Sequence, residues 1–152
     1  MYRLRVIQWL AVVAASLAAA AFPLSAPATT GGEVVVNIGG IASATGQIGC
    51  ALFPAGAGFP MDNTGARQVW IPAESAGVTC RFADVPEGRW AVSVSHDLNG
   101  NRKVDTNFFG IPSEAWGVSN NIRPTMRAPR FEEASFSVTS GQPMTIDIRV
   151  AK

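Results

Sequence analysis

The chain has 152 residues, with twelve basic and eleven acidic side chains and a formal net charge of +1. Such balance excludes the basic footprint of a nucleic-acid binder, and the length suits one domain with one core rather than two. Two cysteines, no Cys-x-x-Cys and a single histidine exclude a redox dithiol or a zinc cluster.

Arg3 and Arg5 precede an apolar run from Val6 to Phe22, and the small-residue, proline-containing stretch Pro23 to Thr30 follows. This is the pattern of a secretory signal peptide over residues 1–28, with Ala26-Pro27-Ala28 as cleavage site and Ala18-Ala19-Ala20 as an earlier one. An uncleaved anchor helix is the alternative, but the run is Ala-rich and slightly short for a span of about 20 residues. The expectation is an exported protein, periplasmic or secreted, without a stable membrane span after signal removal. Loss of Arg3 and Arg5 leaves ten basic against eleven acidic residues in the mature domain 29–152, a charge of −1. In an oxidising compartment Cys50 and Cys80 are most simply a disulfide, and two separate buried thiols are the other reading.

Glu33 to Ile38 is rich in β-branched residues, and Gln47 to Phe53 alternates Ile48, Cys50 and Leu52, so both predict strands. Pro54 to Gly65 reads as a loop, Gln68 to Ile71 as a short strand, and Val78 to Phe82 as a strand with Cys80 on its inward face. The turn Asp84-Val85-Pro86-Glu87-Gly88 leads into Arg89 to His96, where Trp90, Val92 and Val94 alternate with Ala91, Ser93 and Ser95, which predicts a central strand with Trp90 buried. Phe131 to Val138 and Met144 to Val150 complete the set, joined by a turn over residues 139–143. Recurrent strands and no sustained helical period give an all-β fold, a single β-sandwich. Between them, residues 98–130 form one long irregular loop, whose Phe108, Phe109, Ile111, Trp116 and Val118 predict packing over a sheet.

Within and before that loop, His96 to Asp105 reads His-Asp-Leu-Asn-Gly-Asn-Arg-Lys-Val-Asp. Counting Asp97 as position 1, Asn99, Asn101 and Asp105 fall at 3, 5 and 9, the spacing by which a tight loop turns oxygens toward one Ca²⁺. Position 12 is Phe108 rather than a bidentate glutamate, so this is no EF-hand; Glu114 or Asp84 is the candidate for an added carboxylate. Two local charges set the expected affinity at about 10⁻⁴ to 10⁻³ M. The competing reading is an Asx-rich turn whose side chains bond to backbone.

The succession Phe82 to Val92, His96 to Asn101, Phe109 to Glu114, Gly117 to Asn121 and Pro129 to Ala134 resembles the DUF2141 family of exported bacterial proteins of unknown function, over roughly Glu33 to Val150. The resemblance implies a small sandwich of the immunoglobulin-like or transthyretin-like class and no enzyme activity. It also marks a departure: Arg102 stands where the family tends to carry glycine. In a calcium loop that position takes positive φ, at a cost to a non-glycine residue of about 1 kcal/mol or more.

A hydrolase would need His96, Asp97 and Ser93 or Ser95 to meet, but neighbours on a strand face opposite ways and no Gly-x-Ser-x-Gly turn exists. The expected function is therefore a non-enzymatic binding module, with Ca²⁺ its one cofactor, and with Trp116, Asn120 and Asn121 offering a surface to a protein or carbohydrate partner of the cell envelope. The alternative is a structural envelope sandwich without a ligand. Arg123, Arg127 and Arg130 read as scattered solvated charges before a local positive stretch.

Overall fold

A computed structural model describes residues 31–55 and 58–152; the signal peptide predicted over 1–28 lies outside the described residues. Eight strands form two packed sheets: β1 (Gly32–Gly39), β2 (Gln47–Pro54), β3 (Arg67–Pro72), β4 (Val78–Val85), β5 (Gly88–Asp97), β6 (Trp116–Val118), β7 (Phe136–Val138) and β8 (Met144–Arg149). The smaller sheet has the order β4-β1-β8, with β1 and β8 parallel. The larger runs β3-β2-β5-β6, and β7 joins β5 on the same edge as β6, at the opposite end of the strand. The all-β sandwich expected from the strand pattern is the observed architecture.

Alternation supplies the core between the sheets. Val34, Val36 and Ile38 of β1 face Ile48, Cys50 and Leu52 of β2 and Val92 and Val94 of β5, all essentially inaccessible. Burying each Val, Leu or Ile side chain contributes about 1.5–3 kcal/mol. The sheets are also tied covalently and at both edges. Cys50 on β2 is disulfide-bonded to Cys80 on β4. Arg67 of β3 donates to the carbonyls of Ala83 and Asp84 of β4, and Trp116 of β6 bridges to Ala151 just beyond β8.

β2 departs from simple alternation, because Ala51 and Phe53 are buried on its outer side as well. A second apolar cluster covers that end of the larger sheet, where Phe131 and Ala134 pack with Phe53, Ala91 and Val118, and Phe59 makes edge-to-face ring contacts with Phe53 and Phe131.

Three expectations are corrected. The strand predicted from Phe131 to Val138 begins instead with a helical turn, α1 (Phe131–Ala134), before β7. Its start is fixed by Glu133, whose carboxylate accepts the Arg130 backbone N–H at 2.9 Å and so caps the turn. The irregular stretch 98–130 contains β6 and a 3-10 turn over Ser119–Asn121, because Trp116 to Val118 gain ladder bonds to Ser93–Ser95 of β5. Trp90 is half-buried, since its indole N–H donates to the Pro86 carbonyl at 2.9 Å and draws the ring to the sandwich end.

Candidate functional site

The end of β5 and the chain that follows fold into a self-bonded loop. Asp97 is inaccessible to solvent, and its carboxylate lies in a cradle of backbone amides: Oδ1 accepts from Gly100 N at 2.7 Å and Asn101 N at 3.3 Å, Oδ2 from Arg102 N at 2.7 Å. Three of its roughly four lone-pair sites are thereby filled. Arg102 takes φ 58°, the positive value expected at that position of the loop. Asn99 and Asn101 both turn to Asp105, donating from Nδ2 to Oδ2 at 2.6 Å and to Oδ1 at 2.8 Å. The structure therefore brings the Asn99 and Asn101 amide nitrogens onto Asp105, while their oxygens, like those of Asp97, serve the backbone: Asn99 Oδ1 accepts from Asn101 N at 3.0 Å and Asn101 Oδ1 from Lys103 N at 2.8 Å.

Glu114 closes the far end. It is buried, and its two oxygens accept from Leu98 N at 2.9 Å and Asp105 N at 3.2 Å, clamping the loop across sixteen and nine residues. Asp84, the other candidate carboxylate, is the penultimate residue of β4 in the opposite sheet and takes no part. No three His, Cys, Asp or Glu side chains gather as a metal centre among the described residues. Nor do Asp97, Asp105 or Glu114 pair with a basic side chain: the ion pairs among the described residues are Arg81–Glu33 and Arg127–Glu133.

His96 and Asp97 form no dyad. The His96 ring nitrogen Nε2 lies 2.8 Å from the Thr45 carbonyl, on the face of β5 opposite Ser95 and Asp97. Asn120 and Asn121, expected to face a ligand, are exposed and also bond the fold through their side chains. Both take positive φ, which Asn tolerates; Asn120 donates to the carbonyls of Glu133 and Ser135, and Asn121 bonds the backbone of Asp147 and Arg149.

The more open feature was not foreseen as a unit. In register across the larger sheet, Trp70 stands opposite Gly49, Gly49 opposite Ser95, and Ser95 opposite Trp116. The next row reads Gln68, Ala51, Ser93, Val118. Two tryptophans thus flank a floor of small residues, on strands three spacings or roughly 14 Å apart. Gly49 is required: a Cβ there would stand 2.5 Å from Cζ3 of Trp70, whose indole lies across the glycine. Residues from the long loop (Val104, Phe109–Pro112) and from 123–129 wall the floor, leaving a partly open trough of about 710 Å³.

This trough is where the apolar loop residues gather, but the prediction that they are buried holds only for some. Val118 is buried and Trp116 half-buried, whereas Phe108 is 96% exposed, Phe109 81% and Ile111 58%. Trp116, the sequence-derived contact residue, does line the cavity.

A family model described as "Uncharacterized protein conserved in bacteria (DUF2141)" matches residues 36–147. The chain belongs to the DUF2141 family. No curated protein and no solved structure matches it. The DUF2141 match runs from β1 into β8, so the loop, Glu114 and both walls of the trough lie inside the family's own domain. No helix among the described residues is long and apolar enough to cross a membrane.

The arginines near the trough are individually tied. Arg127 makes a two-pronged pair with Glu133, Nη1 to Oε2 at 2.8 Å and Nη2 to Oε1 at 2.6 Å. That pairing, with the Arg130 amide, holds the Glu133 carboxyl down at about 2 and raises Arg127 above its ordinary value. Arg123 stacks 4.3 Å over the Trp116 ring and donates to the carbonyls of Trp116 and Ala151. Sequence spacing could not assign these partners, because each lies across a fold contact.

Proposed function

We propose that this DUF2141 protein is an exported, non-enzymatic binding module whose ligand lies in the trough on the outer face of the larger sheet. The observation that carries the reading is the row Trp70, Gly49, Ser95, Trp116: two indoles across a small-residue floor, enclosing a volume in the range of small-molecule sites. Met61, Phe109, Ile111 and Met126 line or overhang it, so an apolar small molecule fits better than the protein or carbohydrate partner first expected. Export is supported by the Cys50–Cys80 disulfide, which persists in oxidising compartments, and by the Arg3/Arg5-led apolar run. A binding role rather than catalysis is supported by the commitment of His96 to the Thr45 carbonyl and of Asp97 to backbone amides.

The test is titration with a neutral apolar fluorophore, N-phenyl-1-naphthylamine. Saturable one-to-one binding, weakened at least about tenfold by Trp116→Ala, is expected, since an aromatic contact with its buried area is worth over 1 kcal/mol. Absence of saturable binding, or indifference to Trp116→Ala, would leave the structural envelope role in its place.

A second element is favoured by the unpaired carboxylates: Asp97 and Glu114 are buried beside Asp105 with no basic partner among the described residues. Ca²⁺ at Asp105 would offset that charge, with Asn99 and Asn101 turning their amide oxygens toward it from the backbone N–H groups of Asn101 and Lys103. Thermal unfolding in chelator and in a millimolar Ca²⁺ series reads it out: about 2.7 kcal/mol of stabilisation at one hundred times the dissociation constant, abolished by Asp105→Asn. Identical curves with and without Ca²⁺ would reduce the loop to a structural turn.

A further inference from the structure

The lining of the trough contains three cationic side chains, Arg123, Arg127 and Lys152, and no aspartate or glutamate. Arg127 is neutralised by Glu133. Arg123 is not: both of its hydrogen bonds run from Nη2 to neutral carbonyls, so Nη1 and Nε carry none, and its Cζ lies over the Trp116 ring, 4.3 Å from the centroid. A full positive charge is thus fixed against an aromatic wall, at the edge of an apolar cavity, without a counter-charge. Arg123 is solvent-exposed, so an anion can reach it, and its planar donor set, with Nη1 and Nε unused, suits a carboxylate.

Resting on the trough reading, we infer that the ligand is a single-chain anionic amphiphile, a hydrocarbon chain ending in one carboxylate, with its head at Arg123 and its chain along the floor between Trp116 and Trp70. With Arg127 paired, Arg123 and Lys152 are the trough's cations without an ion-pair partner among the described residues, and of the two only Arg123 offers the planar donor pair that matches a carboxylate. The hydrocarbon is matched by the Trp70 and Trp116 rings and by the apolar overhang of Phe109 and Ile111. The exposed Phe108, Phe109 and Met126 would also suit a lipid surface, but a trough with room for about 710 Å³ favours a single small amphiphile.

The experiment displaces N-phenyl-1-naphthylamine from the disulfide-bonded protein with dodecanoate, dodecanol and dodecyltrimethylammonium, each below its micelle concentration, and reads the ratio of affinities. Dodecanoate is expected to bind about tenfold or more tightly than dodecanol, with the cation weakest, because a charge-assisted hydrogen bond discriminates by at least that factor. The ratio should fall toward one in Arg123→Gln, persist in part in Arg123→Lys, widen in Glu133→Gln, which frees Arg127, and shrink in 1 M salt. Equal affinity for acid and alcohol, or a ratio unchanged in Arg123→Gln, overturns the inference and leaves the trough as a site for neutral ligands. Binding to anionic phospholipid vesicles with no displacement by dodecanoate overturns it in favour of a membrane surface. Failure of the neutral fluorophore itself to bind removes the trough reading and the inference together.

Discussion

Asp97→Asn isolates the amide cradle, because the side chain keeps its shape and loses only one acceptor and the charge. With Oδ1 retained toward Gly100 and Asn101, the new Nδ2 faces the Arg102 N–H across the 2.7 Å that Oδ2 spanned, donor against donor. No water can intervene, since the residue is fully inaccessible. Losing one charge-assisted bond costs about 1.5–3 kcal/mol. The 2.7 Å bond from Gly100 weakens by roughly half when its acceptor becomes neutral, and the 3.3 Å bond from Asn101 adds little. Relief of repulsion from Asp105 and Glu114 returns a fraction, leaving a net loss of about 2–4 kcal/mol, or a melting temperature lower by roughly 10 °C for a domain of this size. Urea unfolding in chelator measures it without any contribution from bound cation. A loss below about 0.5 kcal/mol, the scatter of ordinary surface substitutions, would refute the claim that this carboxylate holds the loop.

Four further outcomes are expected. Gly49→Val drives its side chain into Trp70, where even a Cβ would be 2.5 Å from the ring, so the indole is displaced and fluorophore affinity falls by tenfold or more; unchanged affinity would remove Trp70 from the wall. Reduction of Cys50–Cys80, which closes a segment of 30 residues, should cost about 3–4 kcal/mol in the chain-entropy model, read from chemical unfolding with and without reductant. Glu133 has its folded value depressed to about 2 from an ordinary 4.5, so its contribution is present above about 4.5 and is lost as pH falls through about 2. Carbon-detected titration of its carboxyl should show the low midpoint, and Arg127→Gln should raise it. Arg102→Gly relieves a positive φ of 58° and should stabilise the loop by up to about 1 kcal/mol, less the loss of its stacking on Trp70 at 5.8 Å; a large destabilisation would mean that the stacking outweighs the backbone term.

Strand alternation made most of the sandwich legible, because β1, β2, β4 and β5 each carry a face of Val, Ile, Cys or Leu at period two. Phe131 to Val138 misled for the same reason: Phe-Glu-Glu-Ala-Ser-Phe satisfies a strand pattern, and only the bond from Arg130 N to Glu133 turns its first half into a helix. β6 was invisible because three residues carry no period; its pairing with β5 makes it a strand. For the loop, spacing located Asp97, Asn99, Asn101 and Asp105 and the positive φ at residue 102, while Glu114 was one of two carboxylates, with Asp84, offered from outside it. Spacing cannot distinguish oxygens aimed at a cation from oxygens aimed at amides, and Asp97 took the amides. The trough left a partial trace in the small outward residues Gly49, Ala51, Ser93 and Ser95. Its meaning depends on register between strands far apart in sequence, which composition does not encode.

The loop and the trough are mechanically one object. Arg102, held at positive φ by the bond its amide donates to Asp97, lays its guanidinium 5.8 Å from the Trp70 ring, on an indole that also covers Gly49. At the loop's other end Glu114, clamping Leu98 and Asp105, immediately precedes Ala115 and Trp116, the opposite wall. Between these anchors Val104 and Phe109 to Pro112 form the side of the cavity. A shift in the Asp97 cradle therefore reaches both tryptophans through two or three bonded steps, and a cation bound by Asn99, Asn101 and Asp105 would act on the ligand by stiffening the same frame. Linkage makes this reciprocal: if Ca²⁺ raises affinity for the fluorophore by some factor, the fluorophore must raise affinity for Ca²⁺ by that factor. Measuring both directions separates a coupled frame from two independent sites, because equal factors above one require the first and factors of one require the second.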